Sequence, residues 1–224
     1  MKYVCVLPWV DWIWRDDCLS TCKIDVQPID NSVHNRGVPR SWNMGIDMMR
    51  HADADWLIVM SAAIRFGEAG GKDFIDVLEQ RPDHRAISAL GVFGWHLIAF
   101  SRETIETAGR FDENFFPGYL EDIDYGIRMY RHKPDAPWGA YACDVGDAGM
   151  AHALKKAKIQ VDNKTIHDYF QQKWGRPPGG EWHEYHHRPF GQDDLSIKWW
   201  PRSPYTGGNF DDDDILGEKD TPFQ

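Results

Sequence analysis

The densest chemistry in the chain is Phe111-Asp112-Glu113-Asn114-Phe115-Phe116, followed by Tyr119-Leu120-Glu121-Asp122-Ile123-Asp124-Tyr125-Gly126-Ile127-Arg128. Glu121, Asp122 and Asp124 put three carboxylates within four positions at the expected start of a helix. Two readings are open. Acids in a first turn are favoured by the positive end of the helix dipole, which would make them caps. A carboxylate there also stays ionised, while crowding by like charges raises its proton affinity. That combination suits a general base taking a proton from a hydroxyl. Asp122 and Asp124 are two apart, so on a helix they point in different directions and do different jobs. Arg128, one turn beyond Asp124, can pair with it as a structural part.

These residues must be held by a scaffold, and apolar patterning outlines it. Tyr3–Leu7, Ile24–Ile29, Trp56–Met60, Ile87–Phe93, His96–Ser101 and Trp138–Val145 read as strands. Trp56–Met60 is a continuous apolar run, as expected for a strand buried on both faces. Helices are expected from Pro39 through Arg50, around Phe74–Leu78, over Thr104–Ala108, from Glu121 to Arg131 and over Asn163–Trp174. Pro8–Asp17 is assigned no element. Strands alternating with helices at short intervals define an α/β fold with a mostly parallel central sheet flanked by helices. Residues 1–175 form the domain. Residues 176–224 are an irregular C-terminal extension that packs on it or is partly disordered, with Gly217–Gln224 expected to be disordered. In open sheets of this class, ligands bind beyond the carboxyl ends of the strands. Here those ends are Pro8-Trp9, Asp30-Asn31, Ser61-Ala62 and the region of His96.

Composition excludes several classes. The formal net charge is −10 over 224 residues, which does not suit a general binder of nucleic-acid backbones. No stretch reaches the roughly 18 apolar residues of a membrane helix, and the N-terminus lacks the pattern of a signal peptide. Four cysteines, Cys5, Cys18, Cys22 and Cys143, read as reduced packing residues of a cytoplasmic protein. His183, His186 and His187 fit no standard metal spacing, and Asp211–Asp214 lacks the alternation and glycine of a calcium loop. Both belong to a polar tail.

At the acidic cluster the chain resembles family 2 glycosyltransferases. Phe111–Phe116, with Glu121-Asp122-Ile123-Asp124 and Arg128 after it, is similar to the acceptor-side motif of that family. Other segments resemble it in the same order: Ile29-Asp30-Asn31-Ser32, Asn35-Arg36-Gly37, Asn43-Met44-Gly45-Ile46, Gly94–Ala99, His152 and Lys173-Trp174-Gly175. The matches run from about residue 3 to residue 175. The resemblance implies a Rossmann-like GT-A fold, a nucleotide-sugar donor and inversion at the anomeric carbon. Asp122 is then the catalytic base. Pro8, Trp9, Asp30, Asn31, Arg36, Asn43, Ser61, Ala62 and Arg65 are the donor-side candidates. Trp95, His96 and Glu121 are the acceptor-side candidates.

One departure matters. After Trp56–Met60 the family carries an Asp-x-Asp-like motif that holds a divalent metal on the diphosphate; here the chain reads Ser61-Ala62-Ala63-Ile64-Arg65. Dependence on Mn or Mg is therefore left open, with Asp124 and His152 as the candidate ligands. Arg65, Arg36, Arg40, helix N-termini or His152 could offset the diphosphate charge instead. His96 reads equally as a hydrogen-bonded core histidine, and Trp9 and Trp12 equally as packing residues or as a stack for the base.

The expected activity is transfer of a sugar from a nucleotide-sugar donor, UDP- or dTDP-type, to an acceptor hydroxyl on a glycan, a protein or a modified nucleobase. The alternative is a GT-A domain that has lost the metal motif and only binds nucleotide or glycan. A nucleotidyltransferase is disfavoured because Pro8–Asp17 contains no glycine. Oligomeric state is not written in the sequence.

Overall fold

The computed structural model describes residues 1–90, 92, 95–148 and 163–185. Its centre is a six-stranded sheet of β1 (Tyr3–Trp9), β2 (Gln27–Asp30), β3 (Trp56–Met60), β5 (Ala86–Leu90), β6 (Leu97–Ser101) and β7 (Trp138–Ala142). The strand order is β2-β1-β3-β6-β5-β7. Pairs β1/β2, β1/β3 and β5/β7 are parallel, while β6 runs antiparallel to both neighbours. A small antiparallel ribbon pairs β4 (Ile64–Phe66) with β8 (Val145–Asp147).

Alternate residues of the central strands feed two cores, as the period of a strand dictates. Val6, Leu57 and Val59 face a cluster with Trp42, Ile46 and Met49 of α2 (Gly37–His51), Ile105 of α4 (Arg102–Ala108) and Tyr125 of α5 (Glu121–His132). Cys5, Leu7, Ile58 and Met60 face the other side, with Cys18 of α1 (Trp12–Thr21) and Phe74 and Leu78 of α3 (Lys72–Gln80). Helices thus cover both faces of the sheet. Helix α2 lies close to it because residue 45 is glycine. A Cβ there would stand 2.9 Å from side-chain atoms of both Leu57 and Val6.

Three expectations change. Helix α1, assigned no element from the sequence, exists because Asp11 caps it, accepting from the amides of Ile13 at 2.8 Å and Trp14 at 3.4 Å. The run Trp138–Val145 is not one strand. It turns at Cys143-Asp144, where the Asp144 amide donates to Asp73 and the Gly67 amide donates to the Asp144 carbonyl, and its end becomes β8 on a different partner. Strand β2 starts later than Ile24, because Ile24 and Val26 pack into the second core instead of pairing along β1.

A third cluster joins α5 to α6 (Asn163–Trp174). At its heart are four buried charged groups. Lys173 Nζ donates to Asp112 Oδ2 at 2.7 Å and also contacts Asp124 Oδ1. Arg128 Nε donates to Asp124 Oδ2 at 3.1 Å, and Trp174 Nε1 donates to Asp124 Oδ1 at 2.9 Å. Tyr169 donates its hydroxyl to Asp112 at 2.7 Å, and the Asn114 amide donates to the same carboxylate at 3.0 Å. Burial alone would push the Asp112 carboxyl up. The Lys173 charge and these donated bonds outweigh burial and hold it below the usual range. Beyond α6, the 3₁₀ turn Trp182–Glu184 rests on α5 and buries Tyr185.

Removing one partner from a buried ion cluster leaves an uncompensated charge, at a cost of about 3–5 kcal/mol. Lys173→Met is expected to lower unfolding free energy by about that amount. Urea denaturation near neutral pH measures it. A loss within about 0.5 kcal/mol, the scale of ordinary surface substitutions, would show that the cluster does not hold α6 in place.

Candidate active site

Strands β1, β2 and β3 end at Trp9, Asp30 and Met60 on the same edge of the sheet. Because β6 is antiparallel, it begins at that edge, with Leu97 opposite Met60. The carbonyl of His96 accepts from the Ser61 amide at 2.8 Å, which ties the two strand ends together. The segment Ser61-Ala62-Ala63 then turns into β4. There the Ala148 amide donates to the Ala63 carbonyl at 2.6 Å, and Ile64 stands opposite Asp147.

On the first two strand ends, Arg15 lies over the Trp9 ring at 4.4 Å. Asp30 is exposed, and its Oδ1 accepts from the amide and hydroxyl of Ser32 at 2.8 and 2.6 Å. Those bonds hold its carboxyl below the ordinary value. Arg36 donates to the Asp30 carbonyl at 3.1 Å. Asn31 is buried, with its amide on Ser41 at 2.8 Å. Arg65 Nη1 donates to the carbonyls of Ala62 and Ile64 at 2.8 and 2.7 Å, and its guanidinium faces the Trp14 ring at 5.3 Å. Three guanidinium groups, from Arg15, Arg36 and Arg65, thus lie along the strand ends.

The acidic cluster enters from the other side. Before α5 the backbone takes two successive left-handed residues, Tyr119 at φ 89° and Leu120 at φ 67°. Each such non-glycine conformation costs on the order of 1–3 kcal/mol and persists only where its surroundings fix it. Leu120 is buried in the third core. The Val38 amide donates to the Pro117 carbonyl at 2.7 Å. Gly37, at φ 79°, leaves room for Phe116, 2.9 Å from where a Cβ would stand. Helix α5 has no capping side chain from the preceding residue. Its own first-turn acids serve instead, and the Ile123 amide donates to Asp122 Oδ1 at 2.8 Å.

Glu121 and Asp122 are adjacent but differently exposed. Glu121 is buried, and its Oε2 has no hydrogen-bond partner among the described residues. Burial, with the neighbouring charge of Asp122, pushes its carboxyl up to about 8. Near neutral pH Glu121 therefore keeps its proton. Asp122 is half-buried, and burial raises it too, against the helix amides and the charge of His96. His96 is buried, with Nδ1 3.2 Å from Asp147 Oδ2. Burial pulls its imidazole below the ordinary value, opposed by Asp147 and Asp122. Trp95 packs edge-on against Phe100 and Tyr125, so it belongs to the core as well as to the site's rim. Asp122, Glu121, His96 and Trp95 form one group; Trp9, Asp30, Arg36 and Arg65 line the strand ends.

Two assignments made from the sequence are corrected. Asn43 is not free to touch a donor: its oxygen accepts from the Phe111 amide at 2.8 Å, and its nitrogen donates to the Phe111 carbonyl and Glu113 at 3.0 and 2.7 Å. It fastens α2 to the acidic loop. Asp124 is not free to hold a metal, because Arg128, Lys173 and Trp174 take its oxygens. His152, the other candidate ligand, lies outside the described residues, as do Gly94, His186, His187, Asp211–Asp214 and Gly217–Gln224. Among the described residues no group of three metal-ligating side chains converges. Sequence reasoning missed Asp147 and Arg15, which no periodicity or spacing marks. A cleft of about 500 Å³ lined by Met1, Trp56, Leu78, His84 and Ser101 lies at the opposite end of the sheet and holds none of the candidate residues.

Among solved structures with a similar backbone course are glycosyltransferases. One is the mannosyltransferase PcManGT from Pyrobaculum calidifontis, solved with GDP-Man and Mn2+, at TM-score 0.49 and 13% identity over 63% of this chain and 56% of that one. Another is glucosyl-3-phosphoglycerate synthase from Mycobacterium tuberculosis, solved with Mn2+, UDP and phosphoglyceric acid, at TM-score 0.48 and 11% identity over 72% of this chain and 80% of that one. A third is a glycosyltransferase involved in glycosylation of the major capsid of PBCV-1, at TM-score 0.41 and 9% identity over 71% of this chain and all of that one. The chain therefore spans just over half the length of the mannosyltransferase. No family model matches the sequence, and none of the curated proteins does.

The raised Glu121 pKa has a sign that stability measurements can read. A carboxyl whose folded value exceeds its unfolded value stabilises fully below the unfolded value and loses that contribution as pH rises. For Glu121 the window runs from the ordinary value of 4.5 to about 8. Within it the loss approaches about 1.4 kcal/mol per pH unit. Glu121→Gln is expected to remove this slope and to be more stable than the wild type at the alkaline end. Urea titrations across the window test this; parallel pH profiles would mean that Glu121 is ionised in the native state.

Proposed function

We propose that the chain is an inverting GT-A glycosyltransferase with Asp122 as its general base. The observation that carries this reading is the Glu121–Asp122 pair at the strained start of α5, beside His96 at the strand ends. Glu121 holds a proton near neutral pH, so it is not the base. Asp122 is the carboxylate with both access and a proton affinity raised by partial burial, which suits general-base work. The order of family-like motifs from Asp30 to Lys173 supports the same reading.

The donor is a nucleotide sugar of UDP or dTDP type, its base beside Trp9 and Asp30 and its diphosphate beside Ser61–Arg65. The exposed Asp30 carboxylate suits the imide N–H of uracil or thymine. The acceptor hydroxyl, on a glycan, a protein or a modified nucleobase, approaches past Trp95 and Tyr119. Asp122 takes its proton as the oxygen attacks the anomeric carbon. The bond from that carbon to the diphosphate oxygen breaks on the opposite face, and its electron pair leaves with the nucleoside diphosphate. Arg36 and Arg65 offset the charge that develops there. No step is assigned to a metal. Four free thiols support work in the cytoplasm, and no described helix is long and apolar enough to cross a membrane. The absence of a carboxylate at Ser61-Ala62-Ala63 favours a second reading, a domain that binds nucleotide or glycan without turnover.

Asp122→Asn is expected to lower turnover about 10²–10⁴-fold while leaving nucleotide-induced thermal stabilisation intact, since binding to the native state stabilises by mass action. The measurement is released nucleoside diphosphate over a panel of UDP- and dTDP-sugars, beside melting curves with the same compounds. Melting shifts without turnover in the wild type would select the second reading. Equal turnover in the two proteins would remove Asp122 from its role.

A further inference from the structure

The central sheet has two ends, β2 and β7, and they are finished differently. An edge strand exposes N–H and C=O groups that another strand can pair with, and proteins blunt such edges with proline, charge, a bulge or a covering segment. The β2 edge is blunted. That strand has four residues, Pro28 brings no amide hydrogen to it, and Asp30 closes it. The β7 edge carries none of these devices. Its sequence, Trp138-Gly139-Ala140-Tyr141-Ala142, has no proline and no charge, and it pairs in unbroken register with β5 from Trp138 to Ala142. On the side away from β5, its backbone groups meet no partner among the described residues.

The side chains of β7 are already held in place. Trp138, Ala140 and Ala142 share one face and are exposed, with Leu90 of β5 in register beside Ala142. Trp138 is 49% exposed and Leu90 51%. The Trp138 ring lies against Trp182 at 4.6 Å, and Trp182 rests on α5 where residue 126 is glycine; a Cβ there would stand 2.5 Å from the indole. Gly139 and Tyr141 share the other face. The Tyr141 hydroxyl is hydrogen-bonded to His84 Nε2 at 2.7 Å. Its ring leans over Gly139, 2.8 Å from where a Cβ would stand.

Turned end for end, this strand is its own complement. An antiparallel copy centred on Ala140 sets Trp138 opposite Ala142, Tyr141 opposite Gly139 and Ala140 opposite itself. Each ring then meets a small residue on its own face, and an aromatic side chain over a strand glycine is a favourable cross-strand pair. No charge faces its like. We infer that β7 is the interface of a symmetric dimer, in which it pairs antiparallel with β7 of a second copy of this chain about a two-fold axis at Ala140. Such an interface is isologous, the same residues serving on both sides. The two sheets continue as one, and the carboxyl ends of their strands, with the candidate sites, face opposite ways. The inference does not rest on the glycosyl-transfer reading.

Sedimentation velocity of the full chain, at concentrations up to about 0.1 mM where even a weak specific contact is populated, reads the association. The wild type is expected to sediment at twice its chain mass. Ala140→Lys sets two ammonium groups opposite each other across the axis, and Ala140→Glu sets two carboxylates. Each alone is expected to weaken the dimer about a hundredfold or more. Mixed in equal amounts, the two variants are expected to associate again, since the introduced ammonium then faces the introduced carboxylate. Melting curves show that each variant folds. A second variant does not depend on charge. Across either kind of antiparallel pair the Cα atoms are about 4.5 or 5.5 Å apart, within the reach of a disulfide. Ala140→Cys, with oxidised glutathione as oxidant, is therefore expected to form a covalent dimer that the four native thiols of the wild type do not form. A wild type that stays monomeric over the whole range overturns the inference. An undiminished dimer in folded Ala140→Lys does so too, as does a mixture of folded variants that fails to associate. If a charged variant does not fold, Ala140→Cys decides alone: cross-linking no faster than the wild type overturns the inference.

Discussion

Lys173 sits between Asp112 and Asp124, with Arg128 completing a set of four charges removed from water. Taking a charge out of water costs several kcal/mol, and only a well-placed counter-charge with further hydrogen bonds offsets it. The acidic loop, α5 and α6 can therefore pack together only in the arrangement that puts the ammonium between the carboxylates. Helix α5 cannot slide or turn without drawing Asp124 away from Arg128, Lys173 and Trp174. Its N-terminus, and with it Glu121 and Asp122, inherits that rigidity. The two left-handed residues before it persist because the helix behind them is fixed and Leu120 is anchored in the same cluster.

Within one helical turn, three carboxylates of similar intrinsic acidity are given three different tasks, and burial decides which. Asp124 points inward and is neutralised, so it is structural. Glu121 is buried without a cation and keeps its proton. Asp122 is only half-buried, bonded to one helix amide and facing His96, so it alone can exchange a proton with an arriving group. The capping reading and the base reading of this segment do not compete. Asp122 caps the helix with the same carboxylate that is available for chemistry, and the helix amide moderates how far burial raises its proton affinity.

Much of this was legible in the sequence, for a physical reason. The Asp124–Arg128 pair follows from their spacing of one helical turn, whereas Lys173-Trp174 is marked only by its likeness to a family motif, and its place between Asp112 and Asp124 shows only in the fold. The apolar run Trp56–Met60 and the helical spacing of Trp42, Ile46 and Met49 gave the core strands and α2 for the usual reason of periodic burial. The failures are equally specific. Helix α1 carries one buried residue, Cys18, and so has no stripe to detect. Asn43 and Asp124 were assigned to ligands because their neighbours resemble ligand motifs; only the partners on distant segments reveal that their polar atoms are used inside the fold. Asp147 lies on a three-residue strand, Val-Gly-Asp, with nothing in its spacing to announce it. Its meaning comes from β4 and β8 pairing, a contact across 83 positions between Ile64 and Asp147.

The position of Lys173 also bears on the chain as it is being made. Asp112 emerges from the ribosome 61 residues before its counter-charge, and Asp124 before the indole and ammonium that complete it. Through that interval the strands of the sheet's first half can already pair, since domains fold as units from the N-terminal side during synthesis. The acidic loop and α5 cannot yet be sealed over them, because Asp112 would be buried with no cation and Asp124 with Arg128 alone. The acidic helix start therefore closes only on arrival of α6. Until that helix arrives, Asp112 keeps its charge only by staying in water.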